Sequence, residues 1–117
     1  MSVLRDKSFD FAVMVVKLVR KLQNEEKEFV LSKQLMRSGT AIGALISEAQ
    51  FGQSNADFVH KMNIALKEAN ETKYWLELLF ATDYITNQEY DESCNLCKEL
   101  IAMLVSTLKT IREKLNK

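Results

Sequence analysis

Three sets of residues carry the types and spacings that chemistry needs. The first is charged. Arg37 and Glu48 stand eleven residues apart with Ala41 and Ala44 between them, which puts all four on one face if the segment is helical. Lys61, Ile64, Glu68, Glu71 and Trp75 follow at spacings of 3, 4, 3 and 4, one face of a second helix. Where such faces meet, Arg37, with Ser38 beside it, and Lys61 can pair with Glu48, Glu68 and Glu71. Carboxylates held against cations in a cleft can form a ligand pocket or an acid–base pair. They also form ion-pair lattices that fix helix register or subunit contacts. The second reading is preferred, because no nucleophile, histidine or oxyanion donor set accompanies the charges.

The second set is Cys94-Asn95-Leu96-Cys97. A redox pair belongs at a helix N-terminus after a strand, and a zinc site needs four ligands. Both cysteines instead fall on an apolar helical seam, so they read as small buried hydrophobes. The third is Asp57-Phe58-Val59-His60, the nearest approach to a Glu-x-x-His metal motif. A di-iron bundle needs two such motifs and two further glutamates. His60 therefore reads as a surface or interface residue. No metal and no cofactor are expected. Lys109, Arg112, Lys114 and Lys117 make the end of the chain basic, as the negative end of a helix dipole favours; a weak phosphate patch is the rival reading.

Four helical segments have to position these residues. The first spans about Leu4 to Gln23, and the second about Val30 to Phe51. The third opens at the capping sequence Ser54-Asn55-Ala56-Asp57 and runs to about Thr82. The fourth opens at the fuller capping box Thr86-Asn87-Gln88-Glu89 and runs to the end. Along it Tyr90, Cys94, Cys97, Ile101, Leu104, Leu108, Ile111 and Leu115 are spaced 4, 3, 4, 3, 4, 3, 4, a heptad stripe facing a core. Short connections make successive helices antiparallel. The fold class expected is all-α, one domain over 1–117, an antiparallel up-and-down four-helix bundle. The absence of proline agrees, since proline costs ~3 kcal/mol or more in a helix interior.

The first helix carries Phe11-Ala12-Val13-Met14-Val15-Val16 and then Leu18-Val19. At 100° per residue this run circles the helix, wider than one bundle face can hide. A neighbouring subunit is the expected cover. The second helix is rich in small residues, among them Ser38, Gly39, Ala41, Gly43 and Ala44. Two mid-helix glycines cost ~1 kcal/mol each against alanine, which close approach by another helix would offset; a kink near Gly39 is the alternative. Phe11, Val15, Leu18, Gly39 and Gly43 are the expected oligomer contacts.

Sixteen basic and sixteen acidic residues cancel. Eight and seven of them fall in residues 1–60, eight and nine in residues 61–117, so neither half is a charged tail. A nucleic-acid binder usually shows a basic excess. No stretch reaches the ~20 apolar residues that span a bilayer, and the charged N-terminus does not read as a signal peptide. Cytoplasmic location, reduced cysteines and no membrane partner are the expectations.

Many short motifs follow one another in a known order: Lys7 to Ala12, Ser32 to Leu35, Arg37 to Ala44, Glu48-Ala49, Asp57-Phe58, Lys61-Met62, Ile64-Ala65, Lys67 to Ala69, Glu71-Thr72 and Tyr74 to Leu76. Over residues from about 5 to 85 the chain resembles the bacterial four-helix-bundle family encoded by intervening sequences in 23S rRNA genes. The resemblance implies a homopentamer of bundles arranged as a barrel, without established enzymatic activity. A related branch, the accessory variability determinant of diversity-generating retroelements, binds nucleic acid and a reverse transcriptase. The function expected is that of a non-enzymatic oligomeric binding or scaffold protein. The alternative is an accessory protein partnered with RNA, DNA or a nucleic-acid enzyme.

Overall fold

The computed structural model describes residues 2–116. Four helices follow in order: α1 (Ser2–Asn24), α2 (Leu31–Gln50), α3 (Asn55–Ala81) and α4 (Asn87–Leu115). Each packs against two others in the cycle α1, α2, α3, α4, while the diagonal pairs do not approach one another. The result is an antiparallel up-and-down bundle, a rod of 52 × 21 × 21 Å.

The starts of α3 and α4 are set locally. Ser54 Oγ accepts from the Asp57 amide, and at α4 the Thr86 hydroxyl and the Glu89 carboxylate cap each other's backbone reciprocally. The start of α2 is capped from further back. Glu28, almost fully buried, turns its carboxylate onto the amides of Val30, Leu31 and Ser32 at 2.7–3.1 Å. Lys27, at φ 54°, supplies the left-handed turn before it. The end of α3 is closed by Asp83, at φ 67°. The amides of Asp83 and Tyr84 return to the carbonyls of Phe80 and Leu79, the paired bonds of a Schellman ending.

The core is made of heptad stripes. On α1 Leu4, Ser8, Phe11, Val15, Leu18 and Leu22 point inward; on α2 Leu35, Gly39, Ile42, Ile46 and Ala49 do so. Gly39 packs directly against the Val15 side chain of α1. A Cβ there would sit 2.8 Å from Val15 Cγ2, so glycine is what lets this valine seat. α2 runs through it as one unbroken helix. On α4 Cys94, Cys97, Leu104 and Leu108 are buried as the stripe requires, Ile101 and Ile111 are half-buried, and Leu115 is exposed. Tyr90 stacks on Phe80 at 4.4 Å between ring centroids.

Candidate functional site

The charged residues of α2 and α3 meet along the edge between the two helices, as two separate clusters. Arg37 Nη2 donates to Glu71 Oε1 at 2.6 Å, and Nη1 lies 3.7 Å from Glu68 Oε1. Trp75 Nε1 donates to the same Glu71 oxygen at 3.3 Å. About three helical turns away Lys61 Nζ donates to Glu48 Oε1 at 2.9 Å, and this hydrogen bond, then the Glu48 charge, raises the lysine's pKa. Ser38 joins neither cluster. It is buried and accepts a hydrogen bond from the Thr72 hydroxyl at 2.9 Å, a polar bridge between α2 and α3 inside the core. Each cluster ties one helix to its neighbour at a fixed register, the work of an ion-pair lattice.

The cysteines are both free and buried. Cys97 Sγ donates to the Ala69 carbonyl, and burial, then the neighbouring Cys94, pushes its pKa up to about 12. A thiol so placed stays neutral at physiological pH and is a poor nucleophile. His60 is exposed on the outward side of α3, and among the described residues no group of three or more His, Cys, Asp or Glu side chains is placed to hold a metal ion. Among the described residues no helix is long and apolar enough to cross a membrane.

The apolar girdle of α1 divides in two, and the residues expected at a subunit contact fall on the inner half. Phe11 and Val15 have no exposed surface and Leu18 has 7%, all within the chain's own core. Gly39 lies under Val15 and Gly43 against Ser8, so the small-residue face of α2 receives α1 of the same chain. Of the five oligomer contacts expected from sequence, Phe11, Val15, Leu18 and Gly39 are covered within the chain, while Gly43 is half-exposed and also lines an outer groove. What remains uncovered is a second stripe. Phe9 is 67% exposed and Val13 39%, with Ala12 and Val16 half-exposed beside them. Phe9 lines a groove of about 590 Å³ between α1 and α2, together with Arg5, Asp6, Asp10 and Ala12 of α1 and the small residues Thr40, Gly43, Ala44 and Ser47 of α2. The signal for this stripe was present in the spacing of positions 9, 12, 13 and 16, one residue out of phase with the core stripe. The longer run of apolar letters obscured it.

The chain, an all-α four-helix bundle, belongs to the 23S rRNA-intervening sequence protein family, whose model matches residues 2–106. It is similar to a crystal structure of a protein of unknown function from the S23 ribosomal protein family of Bacteroides thetaiotaomicron. The two share 57% identity at a TM-score of 0.90, over 91% of this chain and 98% of the other. No curated protein matches the chain.

Proposed function

We propose that the protein is a non-enzymatic, self-associating scaffold, in which copies join through the α1–α2 face. One observation carries this reading: the stripe of Phe9, Ala12, Val13 and Val16 beside a groove whose α2 side is made of small residues. A phenylalanine with most of its surface in water forgoes a stabilisation of roughly 2 kcal/mol that burial would supply. Here that side chain stands next to a cleft whose α2 side lacks bulk, so the surface carries both a protrusion and a recess. A face with both can bind its own kind, and it closes into a ring when the relation between copies is a rotation. The family resemblance favours a pentamer for that ring, and the non-enzymatic reading rests on the charged residues being engaged with one another between α2 and α3. Sedimentation equilibrium at micromolar concentration tests the proposal. A mass several times 13.5 kDa, five times for the pentamer, supports it; a monomer overturns it.

A further inference from the structure

Two stripes on the outside of the bundle share one spacing. On α1 Val3, Asp6, Asp10, Val13, Lys17 and Arg20 follow at steps of 3, 4, 3, 4 and 3, and all six are exposed. On α4 Gln88, Asp91, Asn95, Lys98, Ala102 and Val105 follow at the same steps, and all six are again exposed. A heptad spacing held on a solvent face is the pattern of a helix that packs against another helix. Val3 and Val105 keep 57% and 49% of their surface in water, apolar area that the chain's own core does not use. Asp10, Lys17, Asp91 and Lys98 have no ion-pair partner among the described residues, whose five ion pairs engage other groups.

The ion pairs Lys7–Glu99 and Lys21–Glu89 tie α1 to α4 and fix how these antiparallel helices stand in height. With the same rise per residue on both, Asp10 stands level with Lys98 and Lys17 with Asp91. The rest of the two stripes then falls in step. Val3 is level with Val105, Asp6 with Ala102, Val13 with Asn95 and Arg20 with Gln88. Within one copy both stripes face solvent. A rotation about an axis along the rod keeps every height. It can therefore bring α1 of one copy against α4 of the next with valine facing valine, Asp10 facing Lys98, Lys17 facing Asp91, and no like charges at one level. The neighbouring α2 offers no such match. Gly39 packs on Val15, so the basic Arg37 and Lys33 stand level with Lys17 and Arg20.

We propose that α1 of each copy packs antiparallel on α4 of the next copy through these two stripes. This contact rests on self-association through α1 and names the surface that receives it. Asp6, Phe9 and Asp10 also line the α1–α2 groove. The incoming α4 accordingly lies along the mouth of that groove, where the small Ala102, one turn from Lys98, leaves room for Phe9. Because α1 and α4 are neighbours in the bundle, the giving and receiving stripes sit on adjacent corners. Copies joined head to tail then turn at each step and close into a small ring rather than a filament. A two-fold pairing of α1 with α1 would also match Asp10 to Lys17, but it sets Val3 against Gln23 and leaves the α4 stripe in water.

Sedimentation equilibrium of charge-reversed full chains at micromolar concentration tests the contact. Asp10→Lys/Lys17→Asp sets like charges against Lys98 and Asp91 of the next copy, which opposes association. The mass is expected to fall to that of a single 13.5 kDa chain. Adding Asp91→Lys/Lys98→Asp to the same chain is expected to restore the wild-type mass. All four positions are exposed, so circular dichroism is expected to show wild-type helical content in both variants. A paired α1 variant that keeps the wild-type mass, as two-fold pairing of α1 requires, overturns the α4 contact and leaves self-association standing. A quadruple variant that stays monomeric does the same. A wild type that is itself monomeric overturns both.

Discussion

Gly39 and Gly43 sit one turn apart on α2, and the space above them differs in a way that two substitutions will expose. At Gly39 an added methyl meets both Val15 methyl carbons inside 3.0 Å. Valine is stiff about χ1 and cannot swing aside, so Gly39→Ala is expected to cost about 1–3 kcal/mol of overpacking, despite the ~1 kcal/mol that alanine returns in helix propensity. At Gly43 the nearest atoms, on Ser8, are at 3.4 Å, an ordinary contact. Gly43→Ala is therefore expected to be neutral or to stabilise by up to about 1 kcal/mol. Urea denaturation of the two variants checks both signs. The pair also shows how far sequence reaches at this scale. Small residues in mid-helix announce that another helix comes close, but not whose. The outcome depended on Val15 of the same chain, 24 positions earlier in the sequence, and no local pattern links the two.

At the scale of the element, legibility followed the range of the interaction. The Ser54 and Thr86 caps were readable because each is closed by a residue three positions on. The start of α2 gave no such signal. Its cap is Glu28, brought round by the left-handed Lys27, and glutamate there looks like one more acid in a polar turn. Glu28→Ala leaves three amides without their carboxylate, and a loss of about 1–2 kcal/mol is expected, in the range of a lost N-cap, measurable as a lower thermal midpoint. At α4 the acid response has a definite direction. Burial alone would raise the Glu89 pKa, but hydrogen bonds from Lys21 and from the Thr86 backbone outweigh it and hold the carboxyl below its ordinary 4.5. A depressed carboxyl contributes stability that is complete above its unfolded value and lost as pH falls through the folded one. The midpoint difference between wild type and Glu89→Gln is accordingly expected to shrink as pH drops below 4.5. A difference that stays constant down to acid unfolding would contradict the assignment.

Across the whole molecule, the four-helix class and its antiparallel order were legible from heptad spacing, capping boxes and short connections. The faces were not. A sum of charges cannot show that Glu68, Glu71 and Glu99 turn inward to neighbouring edges while Lys67, Lys98 and Lys109 turn out, because that requires knowing which helix lies beside which. The same gap explains why the width of the α1 girdle was readable and its division was not. Phe11, Val15 and Leu18 follow the core stripe, while Phe9 and Val13 lie just outside it. The molecule has an apolar, recessed side at α1–α2 and, opposite it, a polar side at α3–α4 where lysines stand among Glu77 and Asp91. Sedimentation of Phe9→Glu beside the wild-type chain tests self-association through the first of these most directly. Phe9 is mostly in water within one copy, so the variant is expected to keep its helical content while its mass falls to that of a single 13.5 kDa chain and the wild type sediments as a multiple of it. A variant that retains the wild-type multimeric mass, or a wild type that is already monomeric, would contradict the account.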